Sequence, residues 1–144
     1  MASQAHFVFN GDSFTSNGGD PQVISVKFRD RATFVIGLGG SVSPADDITN
    51  HYPVRKAGTF IELVAYAKAA IAEELHFDIL RSRDSGATWT SILTGNLVIP
   101  SGSTSKVQVT SFNASANSVA VDDLLRLDLK SGHAQGVTIV LSWS

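Results

Sequence analysis

The sequence predicts an all-β protein, an antiparallel sandwich or barrel. Three observations predict it. Short runs rich in β-branched and aromatic residues alternate apolar and polar positions with a period of two. Gly, Pro, Asn and Asp punctuate those runs at intervals of about 10–15 residues. No strand–helix–strand succession of the kind that builds a parallel sheet is present. The 144 residues make one domain of ordinary size, and a hydrophobic content of 43% excludes a disordered chain.

The elements follow in order. Residues 1–20 contain no Lys or Arg, and Phe7, Phe9 and Phe14 stand isolated among polar residues and glycines. Such a segment cannot build its own core. It reads either as a frayed terminus with a short edge strand at His6–Phe9, or as an extended arm whose phenylalanines order against a partner. Residues 21–144 are then a single sandwich domain. Gln22–Phe28 and Ala32–Leu38 read as strands, the latter stopped by Gly39 and Gly40. Ser41 to Tyr52 reads as a loop. Thr59–Lys68 is a strand with Phe60, Glu62, Val64 and Tyr66 on one face and Ile61, Leu63, Ala65 and Ala67 on the other.

The segment Ala65 to Leu75 is alanine-rich. Its propensity allows a short helix, while its flanks favour strand–turn–strand, and nothing in it serves as a helix cap. Leu75–Ser82 alternates cleanly. Shorter runs follow at Thr88–Leu93, Leu97–Ile99, Ser105–Phe112, Ser118–Val121 and Leu124–Leu129. Val137–Trp143 closes the chain, with Val137, Ile139, Leu141 and Trp143 on one face.

Composition narrows the chemistry. With no cysteine there is no disulfide, thiolate metal site or cysteine nucleophile. A net charge of −2 with dispersed basic residues argues against nucleic acid as a partner. No apolar run approaches a membrane span, so no membrane partner is expected. His6, His51, His76 and His133 show no metal-ligand spacing. Asp46-Asp47 and Asp122-Asp123 could attract calcium but lack the alternating oxygen ligands of a calcium loop, and read better as turns. Gly37-Leu38-Gly39-Gly40 is followed by no helix with a lysine, so a phosphate loop is unsupported, and no Gly-x-Ser-x-Gly elbow occurs. The expectation is a protein that is not an enzyme and takes no cofactor.

The sharpest local motif is Ser82-Arg83-Asp84-Ser85-Gly86-Ala87-Thr88-Trp89. It resembles the Asp-box of sialidase propellers, S-x-D-x-G-x-T-W. Physically it is a tight hairpin: Asp84 accepts from turn amides, Gly86 gives a permissive backbone, and Trp89 packs beneath. It occurs once, in a chain too short for a propeller. Ser82, Asp84, Gly86, Thr88 and Trp89 are therefore expected to stabilise a structural hairpin.

On a larger scale, the segments YPVRKAGTFIELVAYAK, LHFDILRSRDSGATWTSIL, LVIPSGSTSKVQVTSF and VAVDDLLRLDLKSGHAQGVTIVLSW span Tyr52 to Trp143. Together they resemble a β-sandwich module of tailed-bacteriophage virion proteins, found in capsid decorations, fibres and head fibres. Ala69–Glu74 departs from it, because such modules usually carry a Pro/Gly turn there. The resemblance implies a jelly roll and a virion structural role. The expectation is a capsid decoration (cement) protein on the capsid surface, a homotrimer bound to the major capsid protein, with Phe7, Phe9 and Phe14 on its partner-binding arm. The alternative is a tail-fibre or receptor-binding head that recognises host-surface glycan through aromatics such as Tyr52, Tyr66 or Trp89.

Overall fold

The computed structural model describes residues 31–144 and two strands nearer the N-terminus. The chain divides into two compact units, Met1–Asp30 and Arg31–Ser144. In the first, within the residues expected as an arm, β1 (His6–Phe9) pairs antiparallel with β2 (Asp12–Thr15), placing Phe7 opposite Phe14. The expected strand Gln22–Phe28 and the side chains of Phe7, Phe9 and Phe14 lie outside the described residues. The second unit begins at Arg31, whereas the composition shift puts the boundary after Asp20.

The second unit is an antiparallel β-sandwich, with no helix among the described residues. Its strands are β3 (Ala32–Leu38), β4 (Tyr52–Pro53), β5 (Gly58–Ala67), β6 (Leu75–Ser82), β7 (Thr90–Ser91) and β8 (Leu97–Ile99). They continue with β9 (Val107–Val109), β10 (Ser118–Val119), β11 (Leu124–Ser131) and β12 (Val137–Trp143). One sheet runs β10-β5-β12-β3, with β9 also on β5. The other runs β4-β11-β6-β7, with β8 also on β6.

The facing sides of the sheets close one apolar core. Leu63, Ala65, Val137, Ile139 and Leu141 come from the first sheet, and Leu75, Phe77, Ile79, Leu125, Leu127 and Leu129 from the second. These are the inward positions that the alternation predicts. The alanine-rich segment is strand–turn–strand, because Ala65 and Ala67 are paired to Ile139 and Val137 before the chain turns. Tertiary pairing outweighs helix propensity there. The expected loop Ser41 to Tyr52 is partly an irregular edge strand. Its Ala45 exchanges backbone bonds with Leu129 at 3.0 and 3.1 Å, and Ile48 N–H donates to the Leu127 carbonyl at 2.9 Å.

One face assignment changes. Phe60 is buried with Leu63 and Ala65 instead of sharing the face of Glu62 and Val64. The cause is a bulge: Ser142 opposes Glu62 but Trp143 opposes Phe60, so Ile61 is the extra residue. Phe60 thereby meets Trp143 edge-on at 6.2 Å, and the Trp143 indole N–H donates to the Lys56 carbonyl at 2.8 Å. At the end of the inward face of β6, Arg81 is buried, and its Nη1 donates to the Ser118 carbonyl of the other sheet at 2.6 Å. That bond ties the two layers together.

Gly132 is required by its surroundings. It has φ of +82°, and a Cβ there would stand 2.5 Å from the Glu74 carbonyl oxygen and 2.6 Å from Leu75 Cδ2. Gly132→Ala should therefore lower the unfolding free energy by more than about 2 kcal/mol, through left-handed backbone strain and a backbone clash. Gly37→Ala, where a Cβ meets nothing within 4 Å, should be near neutral. Chemical denaturation of both variants checks the pair.

Candidate functional site

The five Asp-box residues come together as a closed hairpin after β6. Asp84 Oδ1 accepts from the Thr88 N–H at 2.8 Å and from the Ser82 hydroxyl at 2.8 Å, and Oδ2 accepts from the Thr88 hydroxyl. Ser82 Oγ in turn accepts from Gly86 N–H at 2.8 Å, and the Trp89 indole N–H donates to the Gly86 carbonyl at 3.1 Å. Ser85 and Gly86 both sit in the left-handed region, at φ 60° and 91°. The Thr88 and Ser82 donors hold the Asp84 carboxyl at about 2, well below the usual range. All its strong donors lie within the hairpin, so the geometry is that of a turn clamp.

Trp89 is half-buried on the outer side of the β11 sheet. The His51 ring lies 4.8 Å from its centroid, and the Arg126 guanidinium carbon also lies 4.8 Å from it. His51 Nε2 is 2.7 Å from Asp47 Oδ2, and Asp47 N–H donates to Asp128 Oδ1 at 2.7 Å. Asp128 is 0% exposed, although it belongs to the outward row of β11. It is enclosed by Arg126 Nη2 at 3.2 Å and Lys130 Nζ at 3.2 Å.

Lys130 also reaches Asp46 at 3.0 Å; this bond holds the Asp46 carboxyl below, and the Lys130 ammonium above, its ordinary value. On the neighbouring strand Asp78 lies directly opposite Asp128. Burial pushes the Asp78 carboxyl up, against a hydrogen bond from the Ser91 hydroxyl. Two cations and a backbone N–H occupy the buried Asp128 carboxylate, so the network pins the 46–51 segment to the sheet.

The aromatics considered for glycan contact divide. Tyr52 stacks on Phe34 at 4.7 Å, bridging the two sheets, and Trp89 is engaged by His51 and Arg126. Tyr66 is 45% exposed on the outer face of the first sheet. Asp123 serves its turn: Oδ2 accepts from Ala120 N–H at 2.8 Å and from Arg83 Nε at 3.4 Å, with Asp122 at φ 74°. Each described histidine has a carboxylate partner: Asp47 for His51, Glu74 for His76 and Glu73 for His133. The Arg126–Asp128–Lys130 row was missed by sequence reasoning. Its signal was present, charges at every second position of an otherwise apolar strand.

No protein-family model matches the chain. No curated protein matches it. Among solved structures, a chain from "Structure of infectious bursal disease virus Gt strain" is similar at 11% identity and a TM-score of 0.28, over 99% of this chain and 36% of that one. The protein thus spans little more than a third of that chain's length, and a likeness of this grade carries no argument about fold or function.

Two outcomes follow from the hairpin. Asp84 is depressed in the folded state, so its contribution is fully present above an unfolded value near 4 and fades as pH falls through about 2. The melting-temperature gap between the native protein and Asp84→Asn should therefore be constant at neutral pH and close between about pH 4 and 2. Trp89→Ala should cost about 2 kcal/mol, below the range for a fully buried ring. Thermal and denaturant melts measure both.

Proposed function

We propose that the protein is a virion structural protein: a capsid decoration (cement) protein that binds a phage head as a homotrimer on the major capsid protein. The observation that carries this reading is the strand order. Count β7 with β8 as one position, and β9 with β10 as another. The first sheet then runs first, eighth, third, sixth, and the second runs second, seventh, fourth, fifth. Successive strands mostly alternate between sheets, and early strands lie beside late ones. We read this winding as a jelly roll, the double Greek key used by capsid proteins, lectins and cupins.

Two further observations weigh among those uses. The space between the sheets is filled by fully buried Phe77, Ile79, Leu127 and Ile139 rather than opened as a reaction chamber. The outer face of the first sheet carries an apolar row, Val35, Val140 and Val64 in register across three strands, with Tyr66 beside it. Val35 is 60% exposed. Apolar rows of this kind suit contact with another protein surface. The second reading is a fibre or receptor-binding head, favoured by an open cleft at one end of the sandwich, lined by 68–73 with His133, Gln135 and Gly136.

In the decoration reading, Phe7, Phe9 and Phe14 attach the trimer to the shell. Each gains about 1.5–3 kcal/mol on full insertion into a partner, against about 1–2 kcal/mol of backbone ordering per fixed residue. One arm is therefore weak, and three linked copies multiply it through effective concentration. Light scattering at micromolar concentration should give a trimer. Replacing Phe7, Phe9 and Phe14 by serine should leave its mass and melting temperature unchanged and weaken attachment to purified heads at least tenfold. A monomer, or unweakened attachment, would contradict the reading.

A further inference from the structure

The cleft at the end of the sandwich is built by three connections. The β3–β4 connection gives Gly39 and Ser41, the β5–β6 connection gives Lys68 to Glu73, and the β11–β12 connection gives His133, Gln135 and Gly136. Its volume is about 510 Å³, within the range of pockets that hold small ligands. The walls are braced: Lys68 N–H donates to the Gly136 carbonyl at 2.7 Å, and Gly102 N–H donates to the Ile71 carbonyl at 2.8 Å. Ile71 is buried beneath, so the 68–73 wall is anchored to the core.

The polar groups are arranged for a ligand with both donors and acceptors. Glu73 Oε1 lies 2.8 Å from the backbone N of His133 and 2.7 Å from its ring Nδ1. Both contacts go to one oxygen. Among the described residues Oε2 accepts nothing, so a carboxylate held in a fixed orientation presents a free oxygen. Lys68 has no ion-pair partner among the described residues, and the N–H groups of Ala69, Ala70 and Ala72 have no acceptor there. The Ala and Gly side of the cleft has no bulk to keep a ring off the backbone.

We propose that this cleft is a saccharide-binding site, taking a terminal pyranose of a neutral glycan. Adjacent hydroxyls donate to Glu73 Oε2, and Lys68 and the Ala69, Ala70 and Ala72 amides donate to the sugar oxygens. A carboxylate accepts from two neighbouring hydroxyls, and an ammonium or amide donates to a third or to the ring oxygen. Lys68 and Glu73 bring one charge of each sign to the cleft, so no cluster of cations is present to select an acidic sugar. The alanines and glycines give a shallow apolar floor for the flat face of the ring. The site is separate from the Asp-box hairpin and its charge network, and it does not depend on where the protein sits on a particle.

The test is a nuclear magnetic resonance titration of the full chain with methyl glycosides of glucose, galactose, mannose and N-acetylglucosamine at millimolar concentration. Sialic acid and a Gly-Ala peptide serve as comparison ligands. The expected result is saturable shifts of the 69–73 and 133–136 amides with at least one neutral glycoside. The apparent Kd should rise at least tenfold in Lys68→Ala and in Ala70→Trp, which fills the cleft without removing a polar group. Melting temperatures and attachment to purified heads should stay unchanged in both variants. The proposal is overturned by the absence of shifts with every neutral glycoside, by binding that survives Ala70→Trp in a folded variant, or by a response to sialic acid or the peptide alone.

Discussion

The molecule depends on two apolar faces meeting across the sandwich. β12 lies between β3 and β5, and β11 lies between β4 and β6, so each sheet has a long strand paired on both sides. Each of these strands sends a continuous inward row into the core: Val137, Ile139, Leu141 and Trp143 from β12, and Leu125, Leu127 and Leu129 from β11. A slip of one residue in either strand would turn its whole row to solvent. The short strands β4, β7, β8, β9 and β10 are edge pieces set by this central register, and the connections at the ends inherit their positions from it.

The departures from strict alternation are informative because each has a local cause. The extra residue at Ile61 turns Phe60 inward, where it joins Trp143 and, at 5.4 Å, Phe112. A second register shift, between Leu129 and Ser131, leaves Lys130 as the extra residue near the end of β11, where it reaches both Asp46 and Asp128. Arg81 takes an inward position that alternation would give to an apolar residue, and burial together with nearby Arg83 lowers its pKa. Its Nη1 donates to the Ser118 carbonyl, while its buried Nε has no hydrogen-bond partner among the described residues.

Much of the sandwich was legible in the sequence because a period of two is a direct record of which residues face inward. That holds for Leu75–Ile79, Leu125–Leu129 and Val137–Trp143. The Asp-box was legible because a turn of this kind is a local object, complete within eight residues. The bulge at Ile61 was not, because nothing in the run Thr59–Lys68 marks which residue opposes which on β12. The links from the Arg126–Asp128–Lys130 row to Asp46 and Asp47, and the Glu73–His133 pair, were not, because their members meet only through long-range pairing. The edge-strand character of 42–53 was hidden for the same reason: its backbone bonds go to β11 and to Ala134 just beyond it, far away in the sequence.

The outer surfaces divide the remaining work. The charged row beside Trp89 consumes its polar groups in fixing the 46–51 segment, whereas the first sheet presents an apolar row, and one end of the sandwich presents an open polar cleft. In the proposed readings the apolar row is the surface that packs against another protein, and the cleft is the one that takes a ligand. The most direct test of the central functional claim is the position of the protein on purified particles, determined by cryo-electron microscopy with labelled protein. The account predicts copies distributed over the whole head shell in groups of three. A single location at the tail tip, or absence from the particle, would contradict it.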